Sequence, residues 1–268
     1  MNEMIQKLQA ILDAAPEEEY PESCAALSLA VSELNNGANL SADDLVSDLL
    51  QADQAEVMPP ELAAFVEETL LKASDGGSAD AANTLGALYY TGRIGKQDFA
   101  RAVELYTLAA EGGHPDATEN LGYCYYYGRS VEKDYEKAFR CFSLGAFTGR
   151  LISLYKIGDM YRYGLYADRN EKEAFLIYNR CCGMLSDDTV PQCGADLCIR
   201  MGDCLFEGLG TDRDLRAAQY YYQNAELLFY DRLKNGDYMI EKQYQRCIAR
   251  QEEARTLLRQ SLPAYDWL

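Results

Sequence analysis

Glycine recurs in phase along this chain. Gly86, Gly122, Gly158 and Gly202 each lie inside an apolar stretch, and each is followed six residues later by a second glycine, at Gly92, Gly128, Gly164 and Gly208. With the first glycine of each set taken as position 0, Asp98, Asp134, Asn170 and Asp214 stand at +12. Ala102, Ala138, Ala174 and Ala218 stand at +16, and Tyr106, Phe142, Tyr178 and Tyr222 at +20. Five columns in register over four copies, with spacings of 36, 36 and 44 residues, define an internal repeat. Copies this short cannot bury an apolar face alone, so they must stack on one another.

The columns also say what each copy is. Before +6 the apolar residues fall at helical spacing, as in Leu121, Cys124 and Tyr125 or Ile157, Met160 and Tyr161. Glycine at +6 then suits the left-handed residue that ends this helix A. Asp or Asn at +12 suits the cap of a second helix, B, whose first N–H groups lack partners. Glycine at 0 sacrifices about 1 kcal/mol of helix propensity, which is tolerable where another helix crosses closely. The small Ala at +16 is expected opposite it, with the aromatic at +20 filling the wider part of the seam. Each copy therefore reads as an antiparallel helix pair.

The segments carrying these columns resemble the Sel1-like repeat family, a relative of the tetratricopeptide repeat. They include Leu85-Gly86-Ala87-Leu88-Tyr89-Tyr90-Thr91-Gly92, the stretch 121–138 that opens Leu121-Gly122-Tyr123-Cys124-Tyr125, and Gly208-Leu209-Gly210-Thr211-Asp212-Arg213-Asp214. The resemblance spans about residues 78–232. It implies an all-α fold, a right-handed α-solenoid with helical caps at both ends, that binds other proteins or peptides; it implies no activity. A cysteine-rich branch of the family staples neighbouring copies through two positions that Cys182 and Cys198 occupy here. The corresponding residues elsewhere are Ala110 and Thr118, and Ala146 and Leu154, so one staple at most is implied, and a reduced pair is the expectation.

The expected organisation is a divergent helical cap at 1–58, a half repeat at 59–77, and repeats at 78–113, 114–149, 150–193 and 194–235. A capping helix and tail follow at 236–268. Within the N-terminal part, Ile5, Leu8, Ile11 and Leu12 mark one helix, the stretch from Cys24 to Leu34 another, and Ser41 caps a third. An independent N-terminal interaction domain is the competing reading. The half repeat rests on the in-phase match of 66–81 with 102–117, including the pair Gly76-Gly77 against Gly112-Gly113. Eight extra residues fall in 183–194, an insertion that reads either as a partner-contacting loop or as a tolerated surface loop. The tail ends in the only tryptophan, Trp267, expected to pack back on the cap or to serve as a docking peptide.

Composition narrows the function. With 25 Lys and Arg against 43 Asp and Glu, the net charge of −18 repels phosphate backbones and anionic lipid, so neither nucleic acid nor membrane is an expected partner. No run approaches the ~18 apolar residues of a membrane span, and the first residues carry no export pattern. The nine cysteines are an odd set whose spacing fits no paired zinc motif, so reduced thiols, no metal, no cofactor and a cytoplasmic location are expected. The single histidine, His114, lies in a Gly-Gly-His-Pro turn. That is a poor basis for catalysis, and no enzyme is expected.

The candidate binding surface is the stripe of helix A at −3, +1, +4 and +5. Its partner-contacting members are Tyr90, Tyr123, Tyr126, Tyr127, Tyr155, Asp159, Arg162, Tyr163, Asp203, Phe206 and Glu207, alongside Asn83, Ala87, Thr91, Glu119 and Ile199. Tyrosine, of which the chain has 21, offers a stiff contact surface with a polar tip. The acidic members favour a basic or amphipathic partner segment. The function expected is a non-enzymatic adaptor, monomeric with an oligomer left open; the runner-up is a bacterial effector engaging a host protein. An enzyme would have to draw on Asp159, Arg162, Asp203 and Glu207.

Overall fold

A computed structural model describes residues 2–36, 41–52, 57–234 and 240–261. Among these residues all regular structure is helical, and the chain divides into two compact units, Met1–Asp134 and Tyr135–Leu268. In each, every helix packs mainly on its neighbours in sequence, the construction of an α-solenoid. Trp267 and the rest of the tail from 262 lie outside the described residues.

Among the described residues the first unit holds seven helices: α1 Asn2–Ala14, α2 Pro21–Asn35, α3 Ala42–Ala52, α4 Pro60–Asp75, α5 Ala79–Thr91, α6 Phe99–Glu111 and α7 Pro115–Tyr127. The apolar residues expected of α1 to α3 supply their core, with Leu8, Leu27, Leu45 and Leu49 almost fully buried. Ser41 caps α3 by accepting from the Asp44 N–H. Helix α4 packs against α5, and the two are tied by the Tyr89 hydroxyl donating to Glu67. His114 caps α7: its Nδ1 accepts the N–H groups of Asp116 and Ala117 at 3.1 and 3.3 Å.

The second unit holds α8 Tyr135–Phe147, α9 Leu151–Tyr163, α10 Glu171–Gly183, α11 Ala195–Glu207, α12 Leu215–Lys234 and α13 Glu241–Ser261. A single π-helical turn, Val190–Gly194, leads directly into α11. The inserted segment is therefore only partly a surface loop. Its end is built into the core, with Cys193 1% exposed and packed among Leu151, Tyr178 and Leu197.

The repeat columns perform the local work assigned to them. Gly92, Gly128, Gly164 and Gly208 end their helices in the left-handed region, at φ 85°, 71°, 66° and 75°. Asp98, Asn170 and Asp214 accept from N–H groups two or three residues on. The +12 N–H also closes each connection by donating to the +3 carbonyl, from Asp98 to Tyr89, Asp134 to Tyr125, Asn170 to Tyr161 and Asp214 to Leu205. One packing expectation is corrected. The residue pressed on the position-0 glycine is the aromatic at +20, not the alanine at +16. A Cβ at Gly86, Gly158 or Gly202 would lie 2.9, 2.7 or 2.6 Å from the ring of Tyr106, Tyr178 or Tyr222. The alanines are buried nonetheless, Ala102, Ala138 and Ala218 completely. The flat ring needs the missing side chain more than the neighbouring backbone does.

Candidate functional site

The helix-A stripe does not form one open surface. Glu119, Tyr155, Asp159, Arg162, Ile199, Asp203 and Phe206 are buried, against the expectation of exposure. The physical reason is a seam. Within each unit, long side chains of one helix A reach across to the next: Asn83 meets Asn120, Tyr155 and Asp159 meet Arg200, and Arg162 meets Asp203.

In the second unit this seam is ionic. Arg200 on α11 grips Asp159 on α9 with two bonds, Nε to Oδ1 and Nη2 to Oδ2, each 2.7 Å. The Tyr178 hydroxyl donates to the same carboxylate at 2.8 Å, and Lys156 Nζ stands 3.7 Å away. The Arg200 guanidinium also lies 4.4 Å from the centre of the Tyr155 ring. Burial alone would push the Asp159 carboxyl up, but Arg200, Lys156 and the Tyr178 hydroxyl outweigh it and hold it below the usual carboxylate range. The same pattern recurs one copy on. Asp203 accepts from the Tyr222 hydroxyl at 2.9 Å and Arg246 of α13 at 2.5 Å, with Arg162 at 3.5 Å.

Helix α13 thus takes the place of a further helix A. Its Arg250 pairs with Glu207 at 2.5 Å and lies over the Phe206 ring, and its Cys247 and Ala254, with Ile240 just before it, share a core with Ile199. Arg246 and Arg250 neutralise the last copy's acids. The acidic groups that favoured a basic partner are consequently paired inside the protein. Tyr163 remains exposed, with the Arg162 guanidinium 5.4 Å from its ring centre.

In the first unit the corresponding seam is uncharged and incompletely filled. Tyr90 of α5, Tyr106 of α6, and Asn120, Tyr123 and Tyr127 of α7 line a hollow of about 300 Å³. Tyr106, its ring pressed close on Gly86, lines the hollow from α6. Tyr90, one helical turn beyond Gly86, leans over it at 6.4 Å between ring centres and meets Phe99 edge-on at 5.1 Å. Tyr123 stacks on Tyr127 at 6.1 Å with planes 7° apart, and Tyr126 meets Tyr127 edge-on at 4.9 Å. Asn120 donates to Asn83 at 3.0 Å, joining α7 to α5 at the end of the seam. Tyr127 is 43% exposed, while Tyr90, Tyr123 and Tyr126 are half-buried.

Of the expected contact residues, the hollow brings together Tyr90, Tyr123 and Tyr127, with Tyr126 braced behind. Tyr106 and Asn120 were not anticipated in it. The +20 column was expected only to fill the seam and −2 was given no role, because a single copy gives no sign of which neighbour's side chains they face.

Burial makes the thiols of Cys181, Cys182 and Cys198 poor nucleophiles. Burial pushes Cys181 and Cys198 up to about 12 and Cys182 to about 11, and none of the nine cysteines is in a disulfide. Among the described residues no group of three or more His, Cys, Asp or Glu side chains is placed to hold a metal ion, and no helix is long and apolar enough to cross a membrane.

Residues 79–114, 115–146, 151–180 and 195–227 each match the Sel1 repeat. The chain is similar in structure to a Sel1 repeat protein from Oxalobacter formigenes, at 24% identity and a TM-score of 0.52 over 68% of each chain. It is also similar to a protective antigen present in uropathogenic Escherichia coli strains that displays an SLR fold. That match has 19% identity and a TM-score of 0.51, covering 93% of this chain and 56% of the other. No curated protein matches the chain.

Proposed function

The chain belongs to the Sel1 repeat family, and on that premise we propose that it is a non-enzymatic scaffold that holds a peptide or helix of another protein against its A helices. The observation that carries this reading is the tyrosine-lined hollow between α5 and α7. It is a concave, largely apolar site whose rims are phenol hydroxyls and one amide, the surface chemistry that favours protein contact. Its residues are well braced by ring contacts, so binding would require little ordering of side chains. An enzyme reading loses its kit: Asp159, Arg162, Asp203 and Glu207 are paired with arginines or with one another rather than aimed at a shared space. Cys181, Cys182 and Cys198, outside any disulfide and pushed up by burial, fit a reducing, cytoplasmic setting.

The test is affinity capture under cross-linking from the native cell, run in parallel with Tyr123→Ala and Tyr163→Ala chains. The expected outcome is a partner cross-linked to the wild type and to Tyr163→Ala, and reduced at least about tenfold with Tyr123→Ala, as for a centrally placed anchor. A partner retained equally by all three would place the binding surface elsewhere.

A further inference from the structure

The hollow of the first unit has a cation at its mouth. Arg129 follows the left-handed Gly128 that ends α7 and precedes Ser130, which is itself left-handed at φ 57°. In the fourth copy the corresponding place is held by Gly210, at φ 71°. A non-glycine residue in this region is strained, and here the double reversal turns the Arg129 side chain back over the seam. Its guanidinium lies 4.9 Å from the Phe99 ring centre and 6.0 Å from that of Tyr127. It also reaches the Tyr90 phenol, which burial pushes up and Arg129 draws back down.

What Arg129 lacks is an acid. In a chain with 43 carboxylate side chains, no carboxylate among the described residues forms an ion pair with it. The contrast with the second unit is direct: there Arg200, Arg246 and Arg250 each hold an Asp or Glu. Two rings flank the Arg129 guanidinium, which is exposed; with one contact spent on the Tyr90 phenol, its fork of five N–H donors still has donors to offer a planar oxyanion.

We propose that the hollow anchors one aromatic side chain of a partner segment and that Arg129 binds a carboxylate the segment carries beside that anchor. This rests on the peptide-binding reading above and specifies its partner as an aromatic–acidic sequence. Size supports the first half: at about 300 Å³ the hollow is at the lower limit of small-molecule sites, room for one ring rather than a larger ligand. Ring walls meeting edge-on and offset suit an indole or phenol. Charge supports the second half. A cationic side chain would meet a resident cation at the mouth, whereas a carboxylate would meet an unpaired one. The net charge of −18 does not reverse this, because exposed charges beyond about 8–10 Å are largely screened at physiological salt.

The experiment titrates the full chain into fluorescein-labelled octapeptides that share Gly-Ser flanks and differ in their central pair: Asp-Trp, Asn-Trp, Lys-Trp or Asp-Ala. Fluorescence anisotropy reads binding. Asp-Trp is expected to bind most tightly, Asn-Trp about tenfold more weakly, and Lys-Trp and Asp-Ala more weakly still. Arg129→Gln, an exposed substitution checked for folding by circular dichroism, is expected to bring Asp-Trp down to the level of Asn-Trp and to leave Asn-Trp unchanged. Lys-Trp binding as tightly as Asp-Trp, or Asp-Trp binding unaltered by Arg129→Gln, would overturn the proposal. Equal binding of Asp-Trp and Asn-Trp that Tyr123→Ala abolishes would overturn the acid preference alone and leave the peptide-binding reading standing. Absence of binding by all four probes would overturn the aromatic–acidic assignment, while the wider reading is decided separately by the capture experiment.

Discussion

The seam between α5 and α7 and the seam between α9 and α11 are built from the same five repeat columns. Tyr90, Tyr106, Asn120, Tyr123 and Tyr127 in the first correspond to Arg162, Tyr178, Arg200, Asp203 and Glu207 in the second. In both, the +20 tyrosine ring presses on the position-0 glycine. Beyond that shared contact the two diverge. One seam keeps its rings around a hollow; the other fills the equivalent space with carboxylates, guanidinium groups and hydrogen bonds. The −3 to −2 link shows the exchange most simply, as an amide pair in Asn83 and Asn120 against a stacked cation in Tyr155 and Arg200. The same repeat columns can thus fill one seam with ion pairs and leave another as a ring-lined hollow.

The comparison is most exposed to failure at Arg200. Arg200→Ala leaves Asp159 buried with only Lys156 and Tyr178 beside it, and is expected to destabilise the second unit by about 3–5 kcal/mol. The column equivalent, Asn120→Ala, breaks one neutral hydrogen bond and is expected to lower stability by about 0.5–1.5 kcal/mol. Urea unfolding of both variants, with hydrogen exchange to localise the loss, measures the ratio; equal losses would mean the ionic seam is no stronger than the aromatic one.

Acid is expected to act on the same seam with a smaller effect. Because the folded-state pKa of Asp159 is depressed, its contribution is present above the unfolded value of about 3.9 and is lost as pH falls through the lower folded value. Urea midpoints followed from pH 7 to pH 2 should therefore fall more steeply for the wild type than for Asp159→Asn, which starts less stable and has no carboxylate to protonate. Parallel curves would remove Asp159 from the acid response.

A finer discrimination comes from the glycines. Gly158→Ala pushes a Cβ against a Tyr178 ring tethered to Asp159, and is expected to lose about 1–3 kcal/mol. Gly86→Ala meets Tyr106, which borders the hollow and has room to tilt, so its loss is expected to be smaller. Thermal melts of the two variants would show the difference, and a reversed order would mean that Tyr106 is the more rigidly held ring.

Much of the fold was legible because its signals are local. A left-handed helix end at Gly92 or Gly164 depends on the absence of a Cβ, and a cap at Asp98 or Asp214 on an acceptor two or three residues from its donors. Such features need only their own copy. The candidate site was legible in part: Tyr90, Tyr123 and Tyr127 were singled out and do meet. Asp159 and Asp203 carry the same stripe pattern and are buried, because their partners are 41 and 43 residues away on the next helix in the stack. Cys193 belonged to a segment read as a loop, yet the π-helical turn carries it into the core.

The sequence by itself determined the repeat, its helix pairs, their ends and the family, since periodic apolar spacing and backbone chemistry act over a few residues. Only the tertiary structure decided which columns face a neighbour, which acids are neutralised, and where rings leave a space. Those outcomes depend on how far a long side chain reaches across a seam, a distance set by how two helices pack together and not by the spacing within either one.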